Sequence, residues 1–288
     1  MALTIGAATA SADSTTASTS SSQGGLSVSV NGRTVGVGNS SASTERGSHS
    51  IAVAVNNSTA TAGGSRSVAI AVNNSTATTG NGVGNRAVAI NNSTARAEYG
   101  NGNIAKANGN ADATAAGGDH NTAVVDGRCP AGVVCTRSYA VAGGGDDNTV
   151  RVAGYNNVKV SAIGNGNAVT VRGNNNGDPV GSGSVLGVTA EGDNNQVFVS
   201  GNRNRYVRAN GDNNTITITG DENVGIFATD NHNTAVINGT HNRLVSARNG
   251  EHNTVVINGS GWGKNGETVA EGGGQTVVVN GDAPLPWW

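Results

Sequence analysis

Tyr206, Phe227 and Leu244 recur roughly one repeat apart in the segments RNRYVRA, NVGIFAT and NRLVSAR, with Arg205, Arg208, Arg243 and Arg248 among them. Aromatic rings exposed among guanidinium groups suit stacking on sugar rings and pairing with anionic groups. This set is the expected binding surface, with cell-wall or host glycans as the expected partner. The same side chains would otherwise simply cover a sheet face or pack under an inserted loop.

Hydroxyls form a second candidate array. Thr59 and Thr61, Thr76 and Thr78, then Thr94 and Thr114 fall at outward strand positions of successive repeats. A flat array of Thr-x-Thr pairs can order surface water as ice-binding proteins do, although Arg96 interrupts one rank and Asp112 the other. Thr is also a favourable exposed strand residue for reasons unconnected with ligands.

Other reactive residue types point to structure. Cys129 and Cys135 are the two cysteines of the chain, in the segment CPAGVVC. Their closeness suits a local disulfide closing a loop, with a pair of reduced thiols as the alternative. His120, His232 and His252 each precede an Asn in GDHN, DNHN and GEHN. His232 and His252 would lie one repeat apart, but a metal site needs a third ligand that the pattern does not supply. The Gly-Asp corners lack the order of calcium-binding nonapeptides. The GNGN and GDNN stretches lack the helix that a phosphate cradle requires. Most Asp residues sit in corners, and no Ser/His/Asp grouping converges. The expectation is a non-enzyme without cofactor or metal.

These residues ride on a two-beat repeat of about 19 residues that is plainest from Gly192 to Gly259. Each unit opens with Gly-x-x-Asn and a strand such as QVFV, TITI, TAVI or TVVI, then turns a second corner into YVRA, GIFA or LVSA. The front of the chain carries the same beats in SIAVAVNNSTATA, SVAIAVNNSTATT and AVAINNSTARA. Alternation places Ile216 and Ile218 on one face and Thr215 and Thr217 on the other. The same register turns inward Val150, Val152, Val197, Val199, Ala235 and Ile237 on first strands. On second strands it turns inward Val160, Ala162, Val207, Ala209, Val245 and Ala247. At Ile104 to Ala107 the register is ambiguous by one residue.

The fold expected is all-β: a single parallel β-solenoid (β-helix or β-roll) with two strands per coil. About thirteen coils starting at LSVSV would make a rod on the order of 60 Å long. Gly and Asn suit the corners because they accept positive φ cheaply. Asn148, Asn167, Asn195, Asn214, Asn233 and Asn253 recur at one corner, where stacked amides can bond along the rod.

Composition agrees with a thin, long core. Of 288 residues 45 are Gly and only 3% are aromatic, while the 35% that are hydrophobic are mostly Ala, Val and Ile. A net charge of −2 argues against broad nucleic-acid binding, and no apolar run is long enough for a membrane span. Residues 1–12 (MALTIGAATASA) read as a partial signal peptide, ending in a small-residue cleavage pattern but lacking a basic start. Residues 13–25 read as a disordered Ser/Thr-rich linker and 26–281 as solenoid. Insertions fall near 127–144, 173–191 and 259–273, all in the same module of their coil. Residues 282–288 form a tail that could cap the last coil through Leu285, Trp287 and Trp288. At the other end only the linker and an irregular first coil are available, so assembly with another copy is expected there.

Between Ser50 and Ala97 the chain resembles the head repeats of trimeric autotransporter adhesins, in which segments like SVAIAVNNSTAT stack into a β-roll, although the repeat here is longer. The later GxxNxVxV repeats resemble those of secreted actinobacterial β-solenoid proteins and, more distantly, curlin repeats. The resemblance implies an exported surface or matrix protein and transfers no catalytic residue. The expected function is a secreted structural and adhesive surface module. The alternatives are an ice-binding protein and a curlin-like self-assembling subunit.

Overall fold

A computed structural model describes residues 24–177, 187–263 and 267–284. The signal-peptide expectation and the capping residues Leu285, Trp287 and Trp288 lie outside the described residues, as does all of the linker except Gly24 and Gly25. The fold is all-β, and among the described residues there is no helix.

Two sheets face each other along the rod. The first has fourteen strands and the second twelve. From Ile51 onward every coil gives one strand to each, and each strand pairs in parallel with its counterparts in the coils before and after. The pairing registers confirm the two-beat reading and resolve its one ambiguity, because Ala105 and Ala107 point inward.

The sequence reading differs from the structure at the start. LSVSV is not a first coil. It forms β1 (Leu26–Val30), which runs antiparallel both to β2 (Arg33–Val37) and to the first true coil strand. Asn31 and Gly32 both have positive φ, 53° and 82°, as a two-residue hairpin turn demands. The second sheet begins with β3 (Ser41–Thr44), and β4 (Ile51–Val55) opens the parallel series. Removing β1 and β2 from the fourteen leaves twelve coils, not thirteen. β1 acts as a polar lid on the core. Its inward residues are Ser27 and Ser29, and Ser27 Oγ accepts the Ala42 amide at 3.0 Å while Ser29 Oγ bonds Thr44 Oγ1 at 2.9 Å.

The core is the single file of side chains between the sheets, and it thickens along the rod. The early coils bury only alanine on the first sheet, at Ala52, Ala54, Ala69, Ala71, Ala87 and Ala89. From Val150 on, the first sheet buries Val and Ile, Ala235 excepted, and Ile216, Ile218 and Ile257 are fully enclosed. Every inward residue expected from alternation is buried.

The corners carry two buried ladders where the sequence showed one. At the first corner each Asn side-chain oxygen accepts the backbone N–H of the equivalent residue one coil on, as Asn167 does from Asn195 at 2.9 Å. Its Nδ2 donates to carbonyls, for instance Asn85 to Gly100 at 2.8 Å. The second corner repeats this through Asn157, Asn176, Asn204, Asn223 and Asn242, all fully buried. In the early coils Ser takes the same post, as Ser75 N–H bonding Ser58 Oγ at 3.1 Å shows. These ladders satisfy polar groups that burial would otherwise leave unpaired.

Candidate functional site

All three insertions leave from the second corner, between a first-sheet strand and its second-sheet successor. The second-sheet strands resume after them at Ser138, Val188 and Thr268. Cys129 and Cys135 are disulfide-bonded with Cα atoms 6.0 Å apart. The closed loop delivers Arg137 back across the second sheet, where its guanidinium pairs with Asp112 and bonds Thr94 Oγ1 at 3.3 Å.

That contact limits the hydroxyl array. The ranks run Ser41, Thr59, Thr76, Thr94, Asp112 and Ser43, Thr61, Thr78, Arg96, Thr114. In these ranks two coils present an unbroken Thr-x-Thr pair, because Arg96 stands beside Thr94 and Asp112 beside Thr114, and Thr94 is in addition engaged by Arg137.

Beside the disulfide loop, the second corner opens into a cleft of about 360 Å³ lined by Thr136, Asn156, Val158, Asn175, Arg203 and Arg205. That size is at the low end of small-molecule sites and suits one or two sugar rings. Three of its lining residues, Asn156, Asn175 and Arg203, are corner residues in the left-handed conformation, at φ 57°, 58° and 58°. Thr136 N–H donates to Asn156 Oδ1 at 2.7 Å and Asn156 Nδ2 to Asn175 Oδ1 at 3.0 Å, so the amide dipoles line up along the cleft. A second hollow shares Asn175 and Arg203 and adds Tyr155, Asn174, Asn202 and Asp221. Sequence reading missed this cleft because its residues look like ordinary turn Asn. Their repeat spacing at the second corner was the available signal.

Arg203 is not a free cation. Its Nη1 bonds Glu222 Oε1 at 2.6 Å, and His241 Nε2 approaches the other carboxylate oxygen at 2.7 Å. The Arg203 hydrogen bond, chiefly, holds the Glu222 carboxyl below its ordinary value. A depressed carboxylate contributes above its unfolded pKa and loses that contribution as pH falls through the folded one. The pair should therefore persist through the ordinary glutamate range and release Arg203 only in stronger acid. Titrating the Glu222 carboxyl by NMR should give a midpoint below that of a solvated glutamate, and Arg203→Gln should move it back up.

The aromatic–arginine set lies on the second-sheet strands that follow this corner. It forms three ranks, not one. Arg205, Val224 and Arg243 align, and Arg208, Phe227 and Ser246 align. Tyr206, Gly225 and Leu244 fall between them at a left-handed kink, with φ of 54°, 73° and 50°. Tyr206 and Leu244 are thus one rank and Phe227 another. Leu244 leans over Gly225, its Cδ2 3.3 Å from where a Cβ would stand, and the Phe227 ring edge lies 3.6 Å from the same point. Gly225 leaves the space that both side chains approach.

The kink breaks alternation, so Arg205 and Tyr206 in succession both remain part-exposed. Arg208 is consumed by Glu191, at 2.7 Å, and Arg248 by Glu267, also at 2.7 Å. Arg205 and Arg243 have no ion pair among the described residues. They are the cations available to a ligand.

A left-handed Tyr costs about 1–2 kcal/mol relative to Gly. Tyr206→Gly should therefore melt at the same temperature as the parent or a few degrees higher, as followed by circular dichroism. A melting point lowered by more than a few degrees would show that the ring is a packing element.

Elsewhere the histidines behave as corner residues. The rings of His232 and His252 stack with centroids 4.8 Å apart. Among the described residues no group of three or more His, Cys, Asp or Glu side chains is placed to hold a metal ion. Comparison of the chain with protein-family models, with curated proteins and with solved structures gives no match.

Proposed function

We propose that this chain is a secreted, non-enzymatic β-solenoid serving at the cell surface or in the envelope as a structural and adhesive module. Its ligand is an acidic glycan, bound along the second corner between the disulfide loop and Leu244. The observation that carries this reading is Tyr206, a bulky residue held at positive φ beside the unpaired Arg205 at the lip of a cleft lined by amides. Strained backbone that only Gly would adopt freely is retained where the side chain has work to do. Arg205 supplies charge-assisted hydrogen bonds to carboxylate or phosphate, Tyr206 a stacking face, and Asn156 and Asn175 orient sugar hydroxyls.

The test is retention of the protein on a panel of insoluble cell-wall glycans, with released sugars assayed in parallel. The parent should be retained on acidic members, Tyr206→Ala and Phe227→Ala should be retained less, and no reducing ends should appear. Equal retention of parent and variants would remove the site from this patch. Release of sugars would make the protein an enzyme.

A further inference from the structure

The outer face of the first sheet changes character along the rod in a way that solvent exposure alone does not explain. Over its first five strands, from β2 through β1 and β4 to Val68–Val72 and Arg86–Ile90, all but two outward residues are Val, Ile or Leu. The middle rank is Val35, Val28, Val53, Ile70 and Val88. The rank on the second-corner side is aliphatic throughout, from Val37 to Ile90. The rank on the first-corner side is Val30, Ile51 and Val68 between Arg33 and Arg86. Val35 and Val37 are 68% and 63% exposed and Ile51 42%.

The opposite face of the same coils is the internal control. There the outward residues are Ser43, Thr59, Thr61, Thr76 and Thr78. Thr serves an exposed strand as well as Val does, so strand propensity does not account for hydrocarbon on one face only. Further along, polar outward residues such as Lys106, Asp126, Arg151 and Thr170 break up the face, and the apolar ones that remain, such as Val236, Val256 and Val278, form a single rank flanked by Thr and Asn.

We propose that this aliphatic face is the interface with a second copy of the chain, packed sheet to sheet with the two rods side by side. Five strands at about 4.8 Å spacing and about 17 Å of strand length give a patch of roughly 400 Å² in projection per copy. The pair buries on the order of 800 Å² before side-chain relief is counted, a size that belongs to weak, reversible association and sets the dimer at tens of micromolar chain. The face is a run of sheet and offers no hydrogen-bonding group within its middle rank. A surface of that kind is matched by another aliphatic sheet, with side chains interdigitating at about 10 Å sheet separation.

Charge chooses the orientation. A two-fold axis along the strands would set the Arg33 and Arg86 rank against its own copy. A two-fold axis along the rod sets it against the partner's neutral second-corner side, where Asn91, level with Arg86, is exposed and its Oδ1 accepts the Asn73 side-chain amide at 2.9 Å. The second arrangement takes the Arg33 and Arg86 rank off its own copy, and Lys106, which follows Val88 in the middle rank, marks where the contact ends because beyond it like charges would meet. It also lays the middle rank on itself, so Ile70 of one copy opposes Ile70 of the other. This interface lies on the side of the rod, not at its strand edges.

The experiment is light scattering on the full chain at tens of micromolar, with Val53→Thr/Ile70→Thr/Val88→Thr as the disrupting variant. All three side chains point outward and Thr keeps strand propensity, so circular dichroism melts should match the parent. The parent should have twice the chain mass and the variant a single chain mass, with at least a tenfold weaker dimer. Oxidised Ile70→Cys should give a cross-linked dimer while Thr78→Cys, on the other sheet, should not. A monomeric parent, or a triple variant that stays dimeric, overturns the proposal. So does a monomer that floats with vesicles of phosphatidylcholine and phosphatidylglycerol, which would make this a lipid-facing surface. A monomer that pairs only after residues 1–23 are removed also overturns it, since the face would then be covered within the chain.

Discussion

Asn195→Ala is expected to lower the unfolding free energy by about 3–5 kcal/mol, far beyond an ordinary surface change. The Asn195 side chain is fully buried at the first corner. Its Oδ1 accepts the Asn214 amide at 2.8 Å, and its Nδ2 donates to Asn167 Oδ1 and to the Glu191 carbonyl, each at 3.1 Å. Alanine leaves the buried Asn214 N–H without its acceptor and takes the Asn195 donor from the Gly211 carbonyl, each at a cost of about 1–3 kcal/mol. Asn195→Ser should recover part of the loss, because Ser50 Oγ already accepts the Ser67 amide at 3.0 Å in the early coils. Asn258→Ala removes an exposed rung, whose Nδ2 donates to Asn280 Oδ1 at 2.9 Å, and should cost under about 1 kcal/mol. Urea unfolding of the three variants checks the series. An Asn195→Ala protein as stable as Asn258→Ala would mean that the ladder contributes nothing net.

Gly220→Ala should be at least as damaging, for a steric reason. Gly220 has φ 134°, and a Cβ there would stand 2.0 Å from the carbonyl oxygen of Gly239 in the next coil. No rotamer relieves a clash with backbone. The coils would have to separate locally, stretching the Gly239 N–H bond to the Thr219 carbonyl, now 2.9 Å. The expected result is a loss of about 4 kcal/mol or more, or failure to accumulate as folded protein. Gly84→Ala separates strain from clash. Its φ is 72° but no heavy atom lies within 4 Å of the added carbon, so about 1 kcal/mol is expected. Thermal melts should rank the two variants in that order.

Alternation and corner chemistry were legible because a coil is a local object. TITI reads inward at Ile216 and Ile218 whatever the rest of the chain does. The second Asn ladder was equally written in the spacing of Asn157 through Asn242, but irregular insertions hid its period. The hairpin cap was signalled by Asn31-Gly32 and obscured because LSVSV has the same alternation as a coil strand. What no local pattern carries is the left-handed kink at Tyr206 and Leu244. Registers either side of it are in phase only because Gly225 occupies the same post between them. Nor could the sequence show that Arg137 returns across forty-three residues to Thr94, or that Glu191 occupies Arg208. Those pairings depend on which coil a loop folds over. They decide which candidate arginines stay free.

The aliphatic face was missed for a related reason. Val and Ile in SIAVAV and SVAIAV look like core residues, whereas the core takes the alanines between them and the larger side chains face outward. Only the alternation phase of the whole rod distinguishes the two.

The most direct test of the account is calorimetric titration of the intact chain with a soluble acidic cell-wall polysaccharide, at low and at physiological salt, beside Arg205→Ala and Tyr206→Gly. Saturable binding that weakens with salt is predicted for the parent. At least a tenfold loss is predicted in both variants, with Tyr206→Gly melting no lower than the parent. No heat of binding, or equal affinity in all three proteins, would contradict it.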